Sequence, residues 1–313
     1  MNMVGAFIKM IRLPNLFFIA LTQLLFHIAV LDTILLPIGV RPVIDGWNFI
    51  FLTVTSVLIA AAGYIINDYF DINIDQVNKP RGNVVDVVVP RRLAMALHFV
   101  LSGMGLLFSA YISWKTGLWY ILLGNFICVL LLFGYSVTLK RKLLFGNIVI
   151  ALLTAWVILI LSISEINILT LVNPDIAEAA NKITRIGFLY ASFAFISSLI
   201  REAIKDIEDM QGDERYGCRT MPIVWGVNVT KVYVAVWLVV ILALLIILQV
   251  YVFRFGWWVA MAYSIAFIIA PFVLIFFQLF KAKTQKDYHR LSNWTKLVML
   301  SGILSMTFFY FYL

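Results

Sequence analysis

The chain is 313 residues long, 63% apolar and 13% charged, with a formal net charge of +8. A mean hydropathy of +0.98 and repeated apolar runs of about 20 residues, long enough to cross a hydrocarbon core of ~30 Å, mark a polytopic membrane protein and exclude a soluble globular domain. The basic residues fall in short connections between those runs, which argues against a nucleic-acid surface, and two cysteines, Cys128 in an apolar run and Cys218 in a polar connection, give neither a disulfide framework nor a thiolate metal site.

Hydropathy predicts nine spans, near residues 14–36, 47–66, 93–113, 117–138, 144–164, 184–204, 230–252, 256–280 and 294–312. The opening MNMVGAFIKMIRLPN runs into the first apolar stretch without a small-residue cleavage site, so it reads as a retained span. Pro14 suits the first turn of a helix and sets Arg12 and Asn15 at the membrane face, as interfacial anchors or as substrate contacts. On one side of the nine spans lie Arg41, Lys115, Lys182, Arg185 and Arg254; the rest of the 24 Lys and Arg residues lie on the other. That asymmetry predicts a cytoplasmic N-terminus in the cell (inner) membrane, and an odd span number then puts the C-terminus outside.

The second run leads into NDYFDINIDQVNKPR, where Asp68, Asp71 and Asp75 stand at i, i+3 and i+7. On a helix turning about 100° per residue they share an arc of roughly 60° and form one acidic stripe, with the amide oxygen of Asn67 beside it. After the sixth run the spacing returns in Asp206, Asp209 and Asp213, offset by 138 positions (206 against 68). The offset predicts a single domain over 1–313 made of two pseudo-repeated halves, roughly 1–140 and 141–280, plus a last helix. Like charges one turn apart repel, so a counter-ion has to hold each stripe together. Oxygen donors without sulfur or histidine suit Mg²⁺. Lys79 and Arg81 follow the first stripe, Arg215 and Arg219 the second, and Arg201 precedes it. The fourth span ends in YSVTLKRK on the same side; Tyr135, Lys140 and Arg141 there are interfacial residues or reach a shared phosphate. The outer connection 164–185 shows no chemistry but has room for a short surface helix, and His289 reads as a surface residue.

NDYFDINIDQVNKPR resembles the first aspartate-rich motif of the UbiA superfamily of membrane prenyltransferases, N-x-x-x-D-x-x-x-D, through Asn67, Asp71 and Asp75, and KDIEDMQGD resembles the second through Asp209 and Asp213 with Asp206 just before. The wording IREAIKDIEDMQGDERYGCRTMPI looks most like the branch that alkylates geranylgeranylglyceryl phosphate, although PRGNVVDVVVPRR departs from that branch's usual continuation of the first motif. The resemblance implies an all-α bundle around an apolar cavity with a cytoplasmic cap. It also implies Mg²⁺ held by Asn67, Asp68, Asp71, Asp75, Asp206, Asp209 and Asp213, of which Asp71, Asp75, Asp209 and Asp213 are catalytic. A prenyl diphosphate would meet Lys79, Arg81, Lys140, Arg141, Arg201, Arg215 and Arg219, while a lipophilic acceptor would meet Arg12, Asn15 and Tyr135. Two rivals share parts of this pattern. One is an aromatic prenyltransferase acting on 4-hydroxybenzoate or dihydroxynaphthoate; the other is an ion-coupled transporter, which expects its acids at mid-membrane depth.

Overall fold

The computed structural model describes residues 3–78, 84–166 and 174–313, so Lys79 and Arg81 lie outside the described residues. Among those described, nine helices are long and apolar enough to cross a membrane. They are span one Leu13–Ile38, span two Gly46–Phe70, span three Arg91–Thr116, span four Trp119–Val137, span five Phe145–Ser164, span six Pro174–Glu208, span seven Val227–Phe253, span eight Trp258–Lys281 and span nine Gln285–Tyr312. Among the described residues the backbone outside helices and turns forms only an isolated bridge, Val85 to Val89. The protein is an all-α, multi-pass membrane protein.

Two spans start nine or ten residues earlier than hydropathy predicts, at Pro174 against 184 and at Gln285 against 294. Span six begins at Pro174, so residues 174–185 of the outer connection are the start of the span itself, while 167–173 lie outside the described residues. Span nine begins at Gln285, where the Thr284 hydroxyl accepts from Asp287 N–H and the Asp287 carboxylate accepts from Thr284 N–H. A reciprocal cap of this kind starts a helix in polar sequence, which a hydropathy window discards.

Spans one, two, four, five, six and nine close into a ring, each packed on the next, while span three leans on two and four, seven on six, and eight on seven and nine. Where ring helices approach closely a side chain would not fit. A Cβ on Gly187 would stand 2.1 Å from Ser162 Oγ, and one on Gly302 would stand 2.3 Å from the Phe193 ring. In lipid there is no hydrophobic drive between helices, so close packing of this kind carries their association. The outward faces carry exposed Leu107, Ile247 and Phe277, which suits a surface bathed in hydrocarbon. Exposed Trp47, Trp114, Trp119 and Trp258 gather at the end opposite the acidic motifs and mark a membrane–water interface.

At the motif end the chain builds a cap. The helix Met3–Met10 and the turn around Val84, Val85 and Val89 bury Ala6, Met10, Val84, Val85 and Val89 in one core with Ala61 and Ile65 of span two and Ile72 beyond it.

Candidate active site

The acidic stripes do not run along continuous helices. Span two stops at Phe70; Asp71 takes φ −93° and ψ 0°, and a new helix, Ile72–Asn78, begins. Span six stops at Glu208 in the same way, Asp209 takes φ −93° and ψ 2°, and the helix Met210–Arg215 follows. Each triad is therefore bent at its middle carboxylate, in a sparsely populated backbone region often found at active sites. Both corners keep a helical bond: Asp71 N–H to Asn67 O at 3.0 Å and Asp209 N–H to Lys205 O at 2.8 Å.

The corners let the two short helices meet. The Asn78 side chain donates to Asp209 O at 2.8 Å, and its Oδ1 accepts from Gly212 N–H, also at 2.8 Å. A Cβ on residue 212 would come within 2.5 Å of that amide, so glycine there lets the two meet without displacing the Asn78 side chain. This two-point clamp fastens the first motif to the second across more than a hundred residues of chain.

Cations reach the first motif from elsewhere in the fold. Lys140, on the tight turn Leu139–Arg141 after span four, donates to Asp71 and, at 3.3 Å, to Asn67 Oδ1. That turn is backed by span five, where a Cβ on Gly146 would meet Lys140 Cα at 2.9 Å. Arg12 pairs with Asp68 at 2.8 Å and lies 4.9 Å over the Tyr64 ring. In the second motif Asp206 accepts from the Asn147 amide of span five at 2.9 Å. Burial, and then the charges of Asp209 and Asp71, push the Asp213 carboxyl up to about 7. The two motifs thus feel each other's charge.

Both open onto one cavity of about 360 Å³ inside the ring of six spans. Asn67, Asp71, Asp75, Asp206, Asp209 and Asp213 line its mouth, with Lys140, Arg201 and Lys205. Its apolar depth runs past Ile19, Leu132, Trp156 and Phe193 to Ile303 and Met306. Arg12, Asn15 and Tyr135 also line it. Asp68 and Arg141 are not part of that lining: Asp68 is turned to Arg12, and Arg141 is exposed with its carbonyl accepting from Arg219 N–H at 2.8 Å. Arg215 and Arg219 are exposed on the surface of the motif end.

Among the described residues no three His, Cys, Asp or Glu side chains form a ready-made metal cage. The donor set still suits a hard divalent cation, because the groups at the mouth are carboxylate and amide oxygens, and the raised Asp213 carboxyl marks negative charge that a cation would offset.

The sequence profile of the UbiA prenyltransferase family matches residues 18–301. The chain belongs to the UbiA prenyltransferase family. It is 30% identical over 246 residues to the digeranylgeranylglyceryl phosphate synthase of Methanosphaera stadtmanae, covering 78% of this chain and 81% of that one. Among solved structures, one described as digeranylgeranylglyceryl phosphate synthase in membranes matches with a TM-score of 0.61 at 20% identity, over 97% of this chain and 98% of the other. A UbiA homolog from Archaeoglobus fulgidus bound to GPP and Mg²⁺ matches with a TM-score of 0.55 at 13% identity, over 96% and 99%. At those identities the structures speak for a shared fold, and the family makes this protein a membrane prenyltransferase.

Sequence reasoning passed over several groups that this UbiA protein brings to the cavity or to its acids: Asn78, Asn147, Glu202, Lys205 and Lys296. Three of them left a signal, Glu202 among them because it falls in the predicted span 184–204. Asn147 and Lys296 are polar residues within predicted spans, where polarity is costly and often functional. Asn78 left none, because its partners are backbone groups far along the chain.

Proposed function

We propose that this UbiA-family enzyme transfers an isoprenyl group from a prenyl diphosphate, geranylgeranyl diphosphate being the donor of choice, to geranylgeranylglyceryl phosphate. The observation that carries the reading is the meeting of both acidic motifs, clamped by Asn78, at the mouth of one apolar, aromatic-bearing cavity. The diphosphate would sit at that mouth and the prenyl chain in the depth. Relatives named digeranylgeranylglyceryl phosphate synthase support the acceptor.

Asp71, Asp75, Asp209 and Asp213, with Asn67 and Asp206, would hold Mg²⁺, which when bound neutralises a diphosphate and so makes it a better leaving group. Lys140, already seated between the motifs, would contact the diphosphate and stabilise charge as the C–O bond breaks. The apolar part of the walls would limit water, and the rings of Tyr64, Trp156 and Phe193 in the lining would offset part of the charge left on the allylic carbon. The acids stand at the ends of spans two and six, which suits phosphate chemistry better than ion transport through the midplane. The distribution of Lys and Arg supports a cytoplasmic N-terminus and active site and an external C-terminus.

The test is to incubate membranes holding the protein with labelled geranylgeranyl diphosphate, Mg²⁺ and each acceptor in turn. Prenylated glyceryl ether phosphate is the expected product. Product from 4-hydroxybenzoate or dihydroxynaphthoate, with none from the glyceryl compound, would replace this reading with quinone-type chemistry.

A further inference from the structure

A further lysine lines the same cavity. Lys296 lies about three turns into span nine, level with Asn15 in the first turn of span one, and lines the cavity, where a lysine is costly without an anion or water beside it. Its ammonium donates to Asn15 Oδ1 of span one and stands 5.2 Å from the Phe18 ring centre. Its charged neighbours are Arg201, Arg12 and Lys205, all cations. Arg12 is engaged by Asp68 and Arg201 by Glu202 at 2.6 Å, while Arg201 Nε is buried with no hydrogen-bond partner. Lys296, by contrast, is held by an amide and a ring, neither of which carries charge. Positive charge gathered in a sheltered cavity is unfavourable until an anion joins it.

We propose that Lys296 and Asn15, beside Arg201, form a subsite for an anionic headgroup, the phosphomonoester of the acceptor, next to the carboxylate-lined mouth where the diphosphate binds. The subsite rests on the acceptor reading above and deepens it, because it makes the acceptor's phosphate a requirement for recognition. Lys296 supplies a point charge that Asn15 orients, and Arg201, which also lines the cavity, adds positive charge nearby. A carboxylate on a ring acceptor would present similar chemistry, so the experiment separates the two.

The full-length enzyme in lipid nanodiscs is assayed at saturating donor with geranylgeranylglyceryl phosphate and with geranylgeranylglycerol, its dephosphorylated counterpart. The wild type should favour the phosphorylated acceptor strongly. Lys296→Gln should raise KM for that acceptor about ten- to a hundredfold, the usual loss on deleting a charge-assisted hydrogen bond. KM for the donor should stay unchanged, which also shows that the variant is folded. Turnover of the dephosphorylated acceptor should be unaffected, and Lys296→Arg should recover most of the preference. Equal discrimination in Lys296→Gln and wild type, or a rise confined to the donor KM, would overturn the subsite while leaving the acceptor reading intact. A wild type that uses neither glyceryl compound and prenylates 4-hydroxybenzoate would overturn both.

Discussion

The two acidic motifs have nearly the same backbone and different electrostatic surroundings. Both bend at the middle aspartate with φ −93°. Around the first, the chain supplies its own cations, with Arg12 on Asp68 and Lys140 on Asp71 and Asn67. Around the second, Asp206 is held by the neutral Asn147 amide, and Asp213 is raised to about 7 by burial and by its acidic neighbours. Equal spacing of carboxylates therefore does not mean equal charge balance. The first motif is compensated by its own cations, whereas in the second Asp213 holds its proton more tightly, and a bound cation would take that proton's place.

The sharpest way to break that comparison is to remove one corner at a time. Asp209→Ala should lower prenyl transfer by about a thousandfold or more, with Asp71→Ala close behind, since each deletes a group aimed at developing charge. Size-exclusion profiles should show both variants folded; activity like that of the wild type in either would remove it from the site. Next in size, Lys140→Met should cost about a hundredfold in kcat/KM for the donor, because it strips the built-in cation from the first motif alone. Steady-state kinetics over a range of donor concentrations would check this, and an unchanged kcat/KM would mean that Lys140 serves only to hold Asp71.

A smaller effect is expected from undoing the clamp. Asn78→Ala leaves Gly212 N–H without its partner and should lower stability by about 1–3 kcal/mol, with activity falling alongside it. Thermal melting in detergent measures the first and the prenylation assay the second; a stable but inactive variant would mean that the clamp acts on geometry more than on folding.

The mildest change lies at the opposite end of the molecule and serves as a contrast. Glu165 is buried, accepts from Val43 N–H at 3.0 Å, and is pushed by burial up to about 7. Its pKa is raised on folding, so its stabilising share is full below the ordinary glutamate range and is lost as pH climbs through about 7. The loss approaches about 3 kcal/mol at its largest. Melting temperature should therefore fall between pH 5 and pH 8 in the wild type and stay flatter in Glu165→Gln, with prenyl transfer unaltered. Equal pH slopes would show that Glu165 ionises without cost.

Some of this was readable directly from the residues. Asp71 and Asp209 stood out because like charges at helical spacing after two apolar runs demand a counter-ion, and Lys140 because it fell on the same side. Asp68 shared the spacing, yet on span two it stands about 100° round from the cavity-lining Asn67, pairs with Arg12 and is off the lining. Periodicity assumes an unbroken helix, and nothing in the local sequence announces that the helix stops at the aspartate itself. Arg215 and Arg219 were plausible by proximity in sequence, but the chain leaves them exposed.

The amino-acid order alone determined what depends on nearby residues and on solvent: nine apolar spans, their sidedness in charge, and two matching acidic motifs with oxygen donors. Only the tertiary structure decided which groups converge. Lys140 meets Asn67, Asn78 meets Gly212, and Lys296 meets Asn15 across separations of 73, 134 and 281 residues. Such pairings follow from how the ring of helices closes, and that closure depends on side-chain shape and close approach, which neither hydropathy nor spacing records.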